Sequence, residues 1–367
     1  MGKPARGAPR GRVGSTFLLV VGLLAMAACV VIDSEPRASF GYSPDPCYCG
    51  ASVLFDASSS HSGSGEISSY AWRFGDGSTG RGRTVEHVFS SPGQYSVELT
   101  VVTEGGEQAF ASRLVTILHG LVVPSAYPTI QSAIDAALDG EVVVVLPGTY
   151  YVSLAVRAKR ITIRSTDPQD SGVVSATVLR PKPNSGRPVA AFGEYTTAML
   201  DGFTITGMIG CPECATGAIY IRESSPIIRR NRIVDNREGG IVAIESGARF
   251  LDNVFEDNVC SIRSISGGAV HIYGCRRAPT IAGNVFQGNI ARSGGAIYVA
   301  ASCEDLAAGD AAPVSITNNV FGGNTATDFG GGAVFVEFGG NLGLDTPDSN
   351  TYIGNEPDDV FYVVPPT

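Results

Sequence analysis

The feature that most constrains this chain is a repeated hexapeptide, Asn-x-(Ile/Phe/Tyr)-x-x-Asn. It recurs at Asn231–Asn236, Asn253–Asn258, Asn284–Asn289, Asn319–Asn324 and Asn350–Asn355. Interleaved with it is Gly-(Ala/Ile) followed by alternating apolar residues, a motif that sets Ala218, Ile241, Ala269, Ala296 and Ala333 in one register. Those positions step by 23, 28, 27 and 37 residues. Periods of about 20–50 residues, with short strands between turns, belong to stacked coils rather than to one compact core. The longest step carries an excess stretch, Ser302–Ala312, which reads as an inserted loop.

Stacking explains the residue choice. Each coil hydrogen-bonds to its neighbours, so asparagines at one turn can form an amide ladder. Val270 with Ile272, Ile297 with Val299, and Val334 with Val336 are expected to fill the interior, and paired glycines permit the bend before each strand. Glycine reaches 46 of 367 residues, against a usual share of about 7%. No third-residue period accompanies it, which excludes collagen. A hydrophobic share of 44% with 17% charged residues excludes a disordered polyelectrolyte.

Ahead of the repeats, Thr129 can N-cap a short helix in which Ile130, Ala133, Ile134, Ala137 and Leu138 share one face, with Gly140 ending it. Such a helix suits the end of a solenoid. Further upstream, Ser69–Phe74 alternates and puts Tyr70, Trp72 and Phe74 on one face. Tyr95, Val97, Leu99 and Val101 alternate again after a turn at Pro92-Gly93. Short strands with regular turn signals over about eighty residues predict an antiparallel sandwich. Trp72 belongs to its core, and Asp76 reads as a turn former.

The first residues have a different character. A basic leader, Lys3–Arg12, precedes an apolar run, Thr16–Ala28, that ends in small residues. This is the pattern of an export signal. An uncleaved anchor over Gly14–Ile32 and ordinary cleavage with free secretion are the alternatives. All three place the rest of the chain outside the cytoplasm. The net charge is −9; without the four bases before residue 29, 22 basic residues face 35 acidic ones, giving −13. So acidic a chain excludes nucleic acid as a partner. Of the eight cysteines (29, 47, 49, 211, 214, 260, 275 and 303), seven remain without Cys29, so at least one is unpaired or pairs between chains. Cys211-Pro-Glu-Cys214 reads as a loop disulfide in preference to half of a zinc site, which would need four ligands.

These motifs carry four resemblances. Met26-Ala27-Ala28-Cys29 resembles a bacterial lipoprotein box, which implies lipidation of Cys29 and a membrane anchor. Trp72-Arg73-Phe74-Gly75-Asp76-Gly77-Ser78, with His87-Val88-Phe89 and Ser91–Tyr95, resembles a PKD domain; Arg73 replaces a frequent Asp at an outward position. Residues 127–362, including Tyr127–Ile134, resemble the right-handed parallel β-helix of the pectate-lyase-like superfamily. The GGAV, GGAI and FxxN repeats look like those of polymorphic outer membrane proteins, which implies surface adhesion. The expected fold is therefore all-β: a signal over 1–28, a linker over 29–36, an Ig-like PKD sandwich over 37–118, and a right-handed parallel β-helix over 122–367 with a short capping helix.

In that register, one outward column reads Tyr220, Ala243, His271, Tyr298, Phe335, and the next Arg222, Glu245, Tyr273, Ala300, Glu337. Neighbouring coils lie about 4.8 Å apart. Aromatic faces suit the apolar faces of sugars, so Tyr220, His271, Tyr273, Tyr298 and Phe335 are the candidate ligand-binding residues. Glycoside hydrolysis needs two carboxylates about 5–9.5 Å apart. Glu245 and Glu337, three coils apart, would be roughly 14 Å apart. Asp328 is a further acid without a fixed place. A uronate lyase would need acids holding Ca²⁺ and a base, for which Arg222 and His271 are candidates. The hydrolases of the superfamily carry an Asn-Thr-Asp cluster and a Gly-His-Gly triplet. Asn324–Asp328 echoes the first loosely, and the second does not occur.

The leading expectation is a lipid-anchored, non-catalytic binding or adhesion protein of the outer membrane or cell surface, recognising a polysaccharide or surface glycan without a cofactor. A polysaccharide lyase or hydrolase, with Ca²⁺ if a lyase, and a structural envelope component are the alternatives.

Overall fold

The computed structural model describes residues 35–209, 217–260, 267–274, 277, 279–300, 314–337 and 349–362. The expected export signal with Cys29, the expected Cys211–Cys214 disulfide and the expected inserted loop lie outside the described residues.

The first unit is a sandwich of two sheets. One contains Gly41–Ser43, Ser52–Asp56 and Thr84–Val88; the other contains Cys47–Tyr48, Gln108–Leu118, Gly93–Thr103, Ile67–Arg73 and Thr79–Arg81. All pairings are antiparallel except that of Cys47–Tyr48 with Gln108–Leu118. Alternation does the work expected of it: Val97, Leu99 and Val101 point inward against Phe55, Trp72, Phe74 and Phe89, all buried. Trp72 lies edge-on to Phe40 at 5.1 Å, and its indole N–H donates to the Gly82 carbonyl at 2.9 Å. Its one polar group is thereby satisfied in a dry core.

The second unit is a three-sided solenoid. Three parallel sheets of eight described strands each run along it, beginning at Leu121–Val123, Gly148–Val152 and Leu154–Arg157. One inward residue from each first-sheet strand falls in the same register, so Leu121, Val143, Ile163, Leu200, Ile228, Phe250, Ile281 and Ile316 form one buried column. The second sheet stacks Phe255, Phe286, Phe321 and Tyr352 with centroids 4.8–5.2 Å apart. The third sheet buries two columns, including the Val270/Ile272, Ile297/Val299 and Val334/Val336 pairs.

Both asparagines of every motif are ladder residues. Each side-chain N–H donates to the amide oxygen of the next coil, at 3.0–3.2 Å from Asn231 through Asn350 and 2.9–3.0 Å from Asn236 through Asn355. The same oxygens accept the backbone N–H of the preceding rung. The residue before nine of the ten rungs is left-handed: Arg230, Asp252, Gly283 and Asn318 on one ladder, Asp235, Asp257, Gly288, Gly323 and Gly354 on the other. The Gly-Gly pairs answer to close backbone approach. Gly267 has φ +94°, and a Cβ on Gly268 would collide with the Gly295 carbonyl of the next coil.

The register of one coil corrects the sequence alignment. Ile241 pairs with Ile219 and Val270, not with the residues before them. Gly240 therefore occupies the slot of Ala269, and this coil lacks the alanine of the motif. Ala243 consequently points into the core, Val242 joins the aromatic column, and Ile244 stands where Glu245 was expected. The helix is also shorter than expected. Thr129 caps Ile130–Ala136 reciprocally with Ser132, but Ala137 is already extended and Leu138 is exposed. The Lys159 ammonium takes the freed carbonyls of Ile134, Asp135 and Ala137 at 2.6–2.9 Å, while Glu141 accepts the Leu138 N–H. A second helical turn, Ser171–Ala176, is capped by Asp170 and was not foreseen.

Only His119 and Gly120 separate the last sandwich strand from the first solenoid strand. Tyr48 and Ala51 bury against Val122 and Val144, and the Ser125 hydroxyl reaches the Gly50 carbonyl at 3.2 Å. The two units meet through a packed apolar seam.

Candidate functional site

The outer face of the third sheet carries the aromatic column, which runs Tyr220, Val242, His271, Tyr298, Phe335, Phe361 in register. His271, Tyr298, Phe335 and Phe361 are stacked ring on ring, with centroids 5.1–5.5 Å apart and planes within 17° of parallel. Stacked rings occupy one another's faces, the surfaces a sugar would use. His271 and Phe335 are buried, while Tyr220 and Val242 pack against Cys260 and Ala291 of a small flanking sheet. What remains accessible is the rim. Tyr273 is 41% exposed one coil before Tyr298, and Phe361 is 39% exposed at the far end. Between them the Tyr298 hydroxyl donates to the Glu337 carboxylate at 2.7 Å. Burial, reinforced by that carboxylate, holds the Tyr298 phenol above the ordinary range.

The acids and bases considered for catalysis are dispersed. Arg222 pairs with its neighbour Glu223 at 3.4 Å. Glu245 is left-handed at a strand end, its N–H donating to the Tyr273 carbonyl. Asp328 is held by Arg292, and Glu337 by Tyr298. Among the described residues, no group of three or more His, Cys, Asp and Glu side chains is placed to hold a metal ion. The donor set that a Ca²⁺-dependent elimination would require is therefore not assembled by these residues.

Two other polar clusters are structural in form. Ser78, His87 and Asp76 lie together in the sandwich, yet both Ser78 Oγ and Asp76 Oδ2 contact the same ring nitrogen, at 3.2 and 2.7 Å. A nucleophile relay needs the two nitrogens used separately. Here the imidazole, stacked on Phe74 at 4.1 Å, clamps the turn. In the solenoid, the buried Asp201 carboxylate accepts hydrogen bonds from Arg229 and Arg230. Glu238 is also buried, with one carboxylate oxygen that receives no hydrogen bond from a described residue, and desolvation raises its pKa.

Sequence reading missed two grooves. One, of about 670 Å³, lies on the open face of the five-stranded sandwich sheet beside Arg73, Arg81, Glu98 and the exposed Phe110. The other, of about 650 Å³, lies on early solenoid coils beside Tyr151, Arg180, Lys182 and Arg187. An acid-free run from Ser171 to Gly193, in so acidic a chain, was the available signal for the second.

Residues 34–117 match the family model of the PKD domain, and residues 190–286 match that of the right-handed β-helix region. Collagenase ColA of Bacillus cereus is 35% identical over 65 residues, 18% of this chain and 7% of the collagenase. A microbial collagenase of Vibrio alginolyticus is 40% identical over 68 residues, 18% of this chain and 8% of that protein. The chain thus spans less than a tenth of the length of either. Among solved structures, the PKD1 domain of Vibrio anguillarum Epp is 32% identical, covering 23% of this chain and 95% of that one, with a TM-score of 0.21. A family 28 exopolygalacturonase of Yersinia enterocolitica is 9% identical, covering 89% and 86%, with a TM-score of 0.22.

Proposed function

We propose that this chain, a PKD domain followed by a right-handed β-helix, is an exported surface protein that binds a polysaccharide or envelope glycan through the β-helix. The observation that carries the reading is the rim of the third-sheet ladder. There, exposed Tyr273 and Phe361 bracket the Tyr298–Glu337 hydrogen bond, offering apolar ring surface beside a carboxylate that can accept sugar hydroxyls. The acids of this face are tied to Tyr298 and Arg292 rather than paired with one another, which supports binding over hydrolysis or elimination. The leader and the Cys29 motif support export and attachment by acyl chains, and the segment matches to two collagenases fit a protein working outside the cell.

A glycan array probed with the full chain and with Tyr273→Ala/Phe361→Ala tests the reading. Both side chains are exposed, so the fold should persist. Retention of the bound glycans should fall at least about tenfold, the equivalent of ~1.4 kcal/mol. Unchanged retention, or no retention of any glycan by the wild type, would overturn it.

A further inference from the structure

The surface arginines of the solenoid are mostly paired with acids. Arg157 lies on Glu194, Arg160 on Asp139, Arg222 on Glu223, Arg232 on Glu256 and Arg292 on Asp328. Exposed Arg237 and Arg249 also form no ion pair with a described residue, but each stands alone; Arg180, Lys182 and Arg187 are exposed, line one groove together and form no ion pair with a described residue. Among the described residues, the groove lining contains no acidic one. Concentrating three uncompensated positive charges in one concavity of a chain with net charge −9 costs self-repulsion that a bound anion would relieve.

The groove is also built to keep its shape. Tyr151 and Arg180 are direct neighbours in adjacent second-sheet strands. The loop carrying Lys182 and Arg187 is tied down at both ends. The Lys182 N–H donates to the Val152 carbonyl at 3.1 Å, and just beyond Arg187 the Val189 N–H donates to the Ala218 carbonyl of the next coil at 2.9 Å. Pro181, Pro183 and Pro188 restrict it further. On the opposite wall, the Met208 N–H is held by the Asn236 amide oxygen, the first rung of a ladder. The Gly207 backbone passes close enough to Arg180 that a Cβ would sit 3.5 Å from its guanidinium. Tyr151 is 57% exposed and, unlike the third-sheet rings, stacks on no other described aromatic.

We infer that this groove binds a sugar chain bearing closely spaced oxyanion groups, sulfate or carboxylate. Tyr151 supplies a free ring face for a sugar, Arg180 a planar fork for one oxyanion, and Lys182 and Arg187 charge for the next. A volume of about 650 Å³ suits a few sugar units. A concave groove also favours a single chain over a flat anionic bilayer. The inference concerns a different face from the third-sheet rim and stands or falls separately from it.

The test measures binding of the full chain to heparin, polygalacturonate, neutral dextran and phosphatidylglycerol vesicles, each at low and moderate salt. Heparin and polygalacturonate separate sulfate from carboxylate. Wild type should bind at least one polyanionic glycan, more weakly as salt rises, and in preference to dextran and vesicles. Arg180→Ser/Lys182→Ser/Arg187→Ser should lower that affinity at least about tenfold, whereas Arg157→Ser/Arg160→Ser should leave it within about twofold. Arg180→Lys, which keeps the charge and loses the fork, should fall between. Polyanion binding unaffected by the triple variant, equal binding of dextran, preference for vesicles, or no wild-type binding would each overturn the inference. Loss of third-sheet glycan retention in Tyr273→Ala/Phe361→Ala with intact polyanion binding would leave it standing.

Discussion

The hydroxyl of Tyr48, in the sandwich, accepts a hydrogen bond from the Arg164 guanidinium of the solenoid at 3.3 Å, and the same guanidinium lies 5.5 Å from the Tyr48 ring centroid. Arg164 is itself held by the Ser165 and Thr166 carbonyls at 3.1 and 3.2 Å. A cation anchored in one unit thus grips a buried ring of the other, with Ala51, Val122 and Val144 closing the seam. The short connection at His119–Gly120 completes the coupling, since a Cβ at Gly120 would stand 2.9 Å from Tyr48.

Tyr48→Ala should therefore uncouple the units. We expect a loss of about 3 kcal/mol from the emptied seam. In calorimetry a single unfolding transition should split into two, and limited proteolysis should begin near His119. A variant that keeps one transition and resists cleavage would show that the seam does not couple the units.

The Asp76 turn predicts a specific acid limb. Partial burial pushes its carboxyl up, but the side-chain and backbone hydrogen bonds of Ser78, then the His87 contact, outweigh this and bring the pKa to about 2, below the ordinary 3.8. A depressed folded pKa means stability that is present above the unfolded value and is lost as pH falls through the folded one. Asp76→Asn should cost about 1 kcal/mol at neutral pH, discounted for partial solvation. The deficit should shrink between pH 4 and pH 2, as denaturation series at stepped pH would show. A deficit constant across that window would assign the effect to geometry rather than charge.

The scaffold was legible in sequence because its requirements are local and repeated. Asn258 or Gly268 has one acceptable residue type, dictated by the coil beside it. Register was legible only where the motif was complete. Gly240 stands in the slot of Ala269, and aligning glycines instead of ladder pairs displaced Val242, Ala243 and Glu245 by one. Exposure was less legible still. His271 alternates like a surface residue but is buried with the Tyr298 ring stacked on it, and its column neighbours Tyr220 and Val242 lie under a flanking sheet that no periodicity announced. The cationic groove escaped because Tyr151 and Arg180 become neighbours only through coil stacking, in coils that precede the asparagine motif.

Cys29 is open to a direct test of attachment. If it is lipidated after cleavage, cells fed a radiolabelled fatty acid should label the protein, which should fractionate with membranes. Cys29→Ser should abolish the label and release the chain or leave it unprocessed. A single acyl chain gives only marginal binding, so stable fractionation implies more than one. Membrane fractionation unaffected by the substitution would point to the uncleaved anchor instead.

The amide ladders predict a gradient of stability along the solenoid. Asn258 is fully buried. Its side-chain N–H donates to the Ile233 carbonyl at 2.8 Å and to Asn289 at 3.0 Å, and its oxygen accepts the Asn236 amide at 3.0 Å. Asn258→Ala leaves donors on one neighbour and acceptors on the other without partners where water cannot reach, a cost of about 3 kcal/mol. Asn350, at the end of the other ladder, is only partly buried while accepting from Asn319 at 3.1 Å. Water can replace much of what Asn350→Ala removes, so that variant should lose about 1 kcal/mol. Urea denaturation of the two variants against wild type measures the difference. Equal losses would mean that the rungs act independently of depth in the stack, and that burial of the ladder is not what makes asparagine necessary at these turns.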